Sequence, residues 1–158
     1  VYFFKQVKLE KDAILLGRPR PEDLVQLSKQ GYKMVLDIMP AALLDKELAR
    51  KVRRAGMRYS HIPVEECDLE TCRIDDGHVF NFSKFVVRCC HGPFIINTDD
   101  EALGLSLIML ANGFLGGEPA TAVINKIETL GFSLKGRKDI KRFIRDFYRH
   151  YRTQAALA

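Results

Sequence analysis

Hydrophobic and polar positions follow one another along this chain in short apolar runs and longer amphipathic stretches. Residues 3–7 and 14–16 are apolar enough for two short strands, with Lys11 and Asp12 as a turn between them. The run Arg18-Pro19-Arg20-Pro21-Glu22-Asp23 reads as a helix entry. Pro21 suits the first helical position, where its missing N–H has no intrahelical use, and Glu22 and Asp23 suit the positive end of the dipole. Leu24, Leu27 and Ser28 then share one face, and Gly31 predicts the C-terminal cap. Met34-Val35-Leu36-Asp37-Ile38 is a continuous apolar run broken by one Asp, the pattern of a parallel strand buried on both faces, and Pro40 ends it. Leu44, Leu48 and Val52 recur every four residues and predict a second helix, with Arg50, Lys51, Arg53 and Arg54 on its remaining surface and Gly56 closing it.

Further on, residues 59–64 predict a further strand and residues 65–72 an acidic loop. Asp75 or Asp76 is placed to cap a helix in which Val79, Phe82, Phe85, Val86 and Cys89 keep the helical rhythm. Gly92 and Pro93 turn the chain into a strand over 94–97. The apolar run stops at Asn97, changes to Thr98-Asp99-Asp100-Glu101, and becomes a helix reaching about Gly113. Gly116 and Gly117 break it, Pro119 opens a helix to Leu130 capped by Gly131, and a last helix covers about 137–152. Strands alternating with helices imply an α/β fold, a mainly parallel sheet of four or five strands flanked by about six helices. At 158 residues without a linker or repeat, residues 1–158 are expected to form a single domain.

Composition changes this picture little: apolar and charged fractions of 47% and 28% are ordinary for a globular protein. No apolar stretch reaches transmembrane length, so no membrane span and a cytoplasmic setting are expected. Cys67, Cys72, Cys89 and Cys90 are expected as reduced thiols and not as a disulfide framework. The net charge of +5 has a location: residues 135–152 hold eight Lys and Arg against two Asp, leaving the remainder at −1. The basicity therefore reads as a property of the terminal helix, and nucleic acid is not the expected partner.

Several segments taken together carry a resemblance. The stretch ILLGRPRPEDLVQLSKQGYKMVLDI, the strand AGMRYSHIPVEE, the helix over 76–90, the strand over 94–97 and GEPATAVINKIETLGF keep one order and spacing. In this the chain resembles small cysteine-dependent phosphatases of the dual-specificity type, from about Ile14 to Leu134. The resemblance implies a phosphate-binding loop reading His-Cys, five residues, Arg. In that loop the Cys thiolate attacks phosphorus, while backbone amides and the Arg hold the phosphoryl oxygens. An Asp on an earlier loop protonates the leaving group. Carried over by position, the histidine falls on Asn97, the nucleophile on Thr98 and the arginine on Gly104, with Asp99, Asp100 and Glu101 between them.

Those residues do not suit the implied chemistry. A Thr hydroxyl lacks the low pKa that makes a thiolate a ready nucleophile, and no base is evident beside it. Gly104 supplies no guanidinium for a bidentate phosphate clamp. Each carboxylate about 5 Å from a phosphate charge repels it by roughly 3 kcal/mol at an effective dielectric near 20. Read without the family, Thr98-x-x-Glu101 fits a capping box, and Asp99 and Asp100 in the first turn complement the dipole. No catalytic residue is expected there.

Other constellations are weaker. Cys67 and Arg73 stand in a literal Cys, five residues, Arg spacing, but Asp68 and Glu70 lie between them, and a thiol is activated by positive surroundings. Zinc across the four Cys and His91 is not expected, because the spacing is irregular and the two pairs leave opposite edges of the proposed sheet. No metal or cofactor is called for. Glu65, Glu66, Asp68, Glu70, Asp99, Asp100 and Glu101 are expected at one rim, a solvated acidic edge or a seat for a basic peptide or a divalent cation. On the terminal helix Lys138, Lys141, Arg142, Arg145 and Arg149 face outward, a solubilising face or a contact for RNA, anionic lipid or an acidic partner surface; Tyr148 and Tyr151 there could stack or pack, and His61 shows no partner pattern. The function these residues predict is a catalytically inactive, phosphatase-like domain that binds, scaffolds or regulates a protein partner. The alternative is a weak phosphatase using the Cys67–Arg73 loop, or a metal-assisted hydrolase at the acidic rim.

Overall fold

The computed structural model describes residues 5–8, 13–65 and 92–157. They contain five strands, β1 (Lys5–Lys8), β2 (Ala13–Gly17), β3 (Met34–Asp37), β4 (Arg58–His61) and β5 (Phe94–Asn97). The α-helices are α1 (Pro21–Lys29), α2 (Lys46–Arg54), α3 (Glu101–Leu115), α4 (Ala120–Thr129) and α5 (Lys138–Leu157). The helix expected over 76–90, most of the loop over 65–72, and Cys67, Asp68, Arg73, Cys89, Cys90 and His91 lie outside the described residues.

Two compact units divide the chain, the first holding Val1–Val64 with Arg88–Gly104 and the second Glu65–Val87 with Leu105–Ala158. In the first, the strands form one sheet in the order β1-β2-β5-β3-β4. β1 runs antiparallel to β2, and the other pairings are parallel, as the apolar runs predicted. Leu15, Val35 and Ile95 on one face pack with Leu24 and Leu27 of α1 and Leu48 and Val52 of α2. Alternation puts Ile14, Leu16, Leu36 and Ile96 on the other face, all fully buried. Each such side chain contributes about 1.5–3 kcal/mol by leaving water.

Two predicted boundaries are corrected. α2 begins at Lys46 and not at Leu44, because Asp45 accepts from the amides of Glu47 and Leu48 at 2.9 and 3.2 Å. A carboxylate competes for these amides where a leucine cannot. Leu44 is left outside the helix and 40% exposed. β4 ends at His61 and not at Val64. The amide of Ile62 still reaches the Asp37 carbonyl, but Val64 bonds to Ile38 and not to the next carbonyl of the regular register, so the ladder slips there; Pro63 faces the free edge of the sheet, where its missing N–H costs no ladder bond.

In the second unit the terminal helix runs to Leu157, beyond the predicted 152. Ile140, Phe143, Ile144 and Phe147 face inward as expected. Phe147 and Tyr148 meet Phe114 edge-on, with ring centroids 5.0 and 5.8 Å away. Tyr148 is thus a core residue, not an exposed stacking platform. Gly113 lets α3 approach α4 closely: a Cβ there would collide with Val123 Cγ2.

Candidate functional site

Parallel strands end together, so their register decides which residues share the carboxyl edge of the sheet. Gly17 pairs with Asn97, Asn97 with Asp37, and Asp37 with His61. Ligand sites of open α/β sheets form in the loops leaving this edge. One row thus gathers the junction singled out by sequence together with residues from three other strands.

Asp37 is fully buried and uses both carboxylate oxygens. The Met39 amide donates to Oδ1 at 3.0 Å and the Tyr59 hydroxyl to Oδ2 at 2.6 Å. Burial first, and then the carboxylate beside it, push the Tyr59 phenol above its ordinary value, so its proton stays in place to donate. The His61 ring donates from Nε2 to the Met39 carbonyl at 2.8 Å, a partner that no spacing signalled. Asn97 is 1% exposed, and its Oδ1 has no hydrogen-bond partner among the described residues.

Beyond Asn97 the chain satisfies itself. The Thr98 amide donates to the Gly17 carbonyl at 3.0 Å, continuing the ladder of β2 and β5. The Thr98 hydroxyl oxygen accepts from the Asp100 amide at 2.9 Å and donates to the Asp100 carbonyl at 3.1 Å. Asp100 Oδ1 accepts from the Leu103 amide at 3.1 Å, and the Asp100 carbonyl from the Gly104 amide at 3.0 Å. Asp100 is therefore the cap of α3, and the capping box expected between Thr98 and Glu101 does not form. Thr98 is held in the strand pairing, two residues too early to cap a helix that starts at Glu101. Asp99 is exposed and pairs with Arg18 at 2.9 Å.

The consequence for an anion is direct. Amides of Thr98, Asp100, Leu103 and Gly104 are engaged by acceptors of the chain itself. The chain is already wound into a helix from Glu101, three residues before Gly104. A Cβ at Gly104 would meet Ile96 Cγ2 at 3.3 Å and Leu16 Cδ2 and Thr98 Cγ2 at 3.4 Å. That position points onto β2 and β5 of its own unit, where a long cation has no room.

Of the acidic rim, Glu66, Asp68 and Glu70 lie outside the described residues, as does the alternative nucleophile loop of Cys67 and Arg73. Among the described residues no three His, Cys, Asp or Glu side chains come together as metal ligands would. Two cationic clefts stand out instead. Lys135, Lys138, Lys141, Arg142 and Arg145 line one of about 420 Å³ at the start of α5. The other, of about 690 Å³, is lined by Lys46, Arg50, Arg53 and Arg54 of α2 with Tyr59 and His61 of β4. This second cleft corrects the assignment of basicity to the terminal helix alone. Its signal was present, since positions 46, 50, 53 and 54 share a helix face. The net charge of the surrounding segments hid it. Among the described residues no helix is long and apolar enough to cross a membrane.

Neither a family model nor a curated protein matches the sequence. Solved structures do match in shape. PTPMT1 superimposes with a TM-score of 0.66 at 10% identity, over 98% of this chain and 100% of that one. TpbA of P. aeruginosa, solved in complex with phosphotyrosine, gives 0.61 at 12% identity over 84% and 78% of the two chains. A proposed phosphatase from Neisseria meningitidis gives 0.61 at 16% identity over 87% and 94%. The chain has the phosphatase-like α/β fold of these proteins, and its mainly parallel sheet has five strands where the sequence predicted four or five.

Proposed function

We propose that this chain is a catalytically inactive phosphatase-like domain that works as a protein-binding or regulatory module, residues 1–158 acting as one domain. The observation that supports it most is the junction of β5 and α3, where Asp100 caps a helix beginning at Glu101. A loop that cradles phosphate needs free, convergent amides and a cation. Here four of those amides have internal acceptors, Thr98 stands where an attacking sulfur is needed, and Gly104 faces the sheet. An acidic protein surface is the partner that suits the groove at the start of α5, whose five cations carry stems able to cover apolar surface. The acidic rim suits a basic peptide less well, because Asp99 is paired with Arg18 and Asp100 is committed to α3.

Hydrolysis of an aryl phosphate by the purified chain, with and without Mg²⁺ and in a Cys67→Ser variant, tests the reading. No turnover above buffer is expected in any arm. Turnover lost in Cys67→Ser identifies a thiol enzyme, metal-dependent turnover identifies a hydrolase, and either result overturns the proposal. Partner binding is read with Lys138→Glu and Arg142→Glu and not by deleting the helix, since removal of α5 would strip Ile140, Phe143 and Phe147 from the core.

A further inference from the structure

The cleft between α2 and β4 shares no residue with the junction at 97–104, and its character is independent of whether that junction ever holds phosphate. Like charges crowd one helix face here. Arg50 has an acidic neighbour, Glu47 at 3.0 Å, while Lys46, Arg53 and Arg54 have no ion-pair partner among the described residues. Such crowding works against the helix itself. It also presents a cationic wall in which Lys46, Arg53 and Arg54 meet no carboxylate among the described residues.

One of these cations is pre-positioned. The Arg53 guanidinium lies 5.7 Å from the centroid of the Tyr59 ring, and the Tyr59 hydroxyl is anchored on buried Asp37 at 2.6 Å. The flat face of the tyrosine is therefore occupied, and it is no platform for a nucleic-acid base. At the entry to α2 the character changes, with Leu43 and Leu44 exposed at 56% and 40% and Leu44 lining the cleft.

Spacing narrows the class of occupant. Lys46, Arg50 and Arg54 follow at four-residue steps, about 6 Å apart along the axis at 1.5 Å per residue. Alternate side chains of an extended peptide fall on one side about 6.6 Å apart. An extended chain with an acidic residue at every second position runs in step with the helix. An apolar residue at its end reaches the exposed leucines. A compact small anion matches neither the length nor the apolar end.

We propose that the α2–β4 cleft docks an extended acidic segment of a partner protein, its alternate carboxylates against Lys46, Arg50 and Arg54 and an apolar residue against Leu44. The full chain is titrated against a fluorescent octapeptide with Glu at alternate positions and Leu at one end. An all-Gln counterpart and an eight-nucleotide single strand serve as comparison probes. Binding of the Glu peptide is expected to fall at least tenfold in Arg50→Glu with Arg54→Glu, and three- to tenfold in Leu44→Ser. It should change less than twofold in Lys126→Gln, whose exposed side chain lines neither cleft, fall less in Lys138→Glu with Arg142→Glu than in the α2 pair, and be absent for the Gln peptide. Arg50→Gln with Arg54→Gln gives the same direction where charge reversal disturbs folding. The proposal is overturned by peptide binding indifferent to the α2 pair, or by loss only in the α5 pair. Tighter binding of the oligonucleotide through the α2 residues also overturns it.

Discussion

Two charged regions of one structural unit put their charges to opposite uses. At the junction of β5 and α3, Asp100 sits at a helix start, where amide dipoles attract negative charge, and its carboxylate is used up on the Leu103 amide. On α2, Lys46, Arg53 and Arg54 face outward with no acidic partner among the described residues. The first arrangement lowers the free energy of the chain itself. The second does so little for the fold that an external anion is its natural complement. Charge that is internally satisfied marks architecture, and charge left facing solvent in a cleft marks the surface where binding is to be sought.

The largest effect expected from breaking this contrast is behind the cleft. Asp37→Ala leaves the buried Met39 amide and the half-buried Tyr59 hydroxyl without their acceptor and should cost about 2–4 kcal/mol in denaturant unfolding. It also frees the ring that positions Arg53. Next comes the attempt to build a phosphate site at the junction. Gly104→Arg must displace Ile96, Leu16 or the Thr98 methyl and should cost about 1–3 kcal/mol. Thr98→Cys with Gly104→Arg is expected to hydrolyse no aryl phosphate, measured at protein concentrations that would reveal a single turnover. Turnover in that variant would show that the junction can form a usable loop.

A milder pair separates capping from charge. Asp100→Ala should cost about 1 kcal/mol, whereas Asp100→Asn, itself a good cap, should stay within a few tenths. If both lose stability equally, the carboxylate charge and not the hydrogen bond holds the helix start. Alkaline stability gives a subtler reading. A phenol whose folded pKa is raised adds stability fully present below its unfolded value near 10, lost as pH climbs toward the folded one. Unfolding free energy should therefore fall above about pH 10 in the native chain, and Tyr59→Phe should flatten that limb. The smallest effect belongs to Arg18→Ala, which removes an exposed pair and should change stability by about 0–1 kcal/mol.

Much of the fold was legible because it rests on periodicity. The run from Met34 to Ile38 and the strand Phe94–Asn97 showed as near-continuous apolar segments, since parallel strands are covered on both faces. Pro21 opened α1 as predicted, and Gly31 and Gly131 take φ of +101° and +96°, which other residues adopt at a cost. The α2 start was misread because an apolar repeat through Leu44 was weighed above the capping power of Asp45 next to it. In the junction, the residue types were legible and the cap was not. Thr98 and Asp100 are both competent caps, and what decides between them is the bond from the Thr98 amide to Gly17, eighty-one positions earlier in the chain.

What the amino-acid order determined by itself is the alternation of strand and helix, the polarity of each face, and the abrupt change from a buried apolar strand to Thr98, Asp99, Asp100 and Glu101. These depend on neighbours a few residues away, within reach of local sterics and local hydrogen bonds. Only the tertiary structure decided that Asp37 would hold Tyr59, that Tyr59 would hold Arg53, and that α2 and β4 would enclose a cationic cleft. Those partners meet through strand register and helix docking, which fix distances between residues that sequence spacing leaves free.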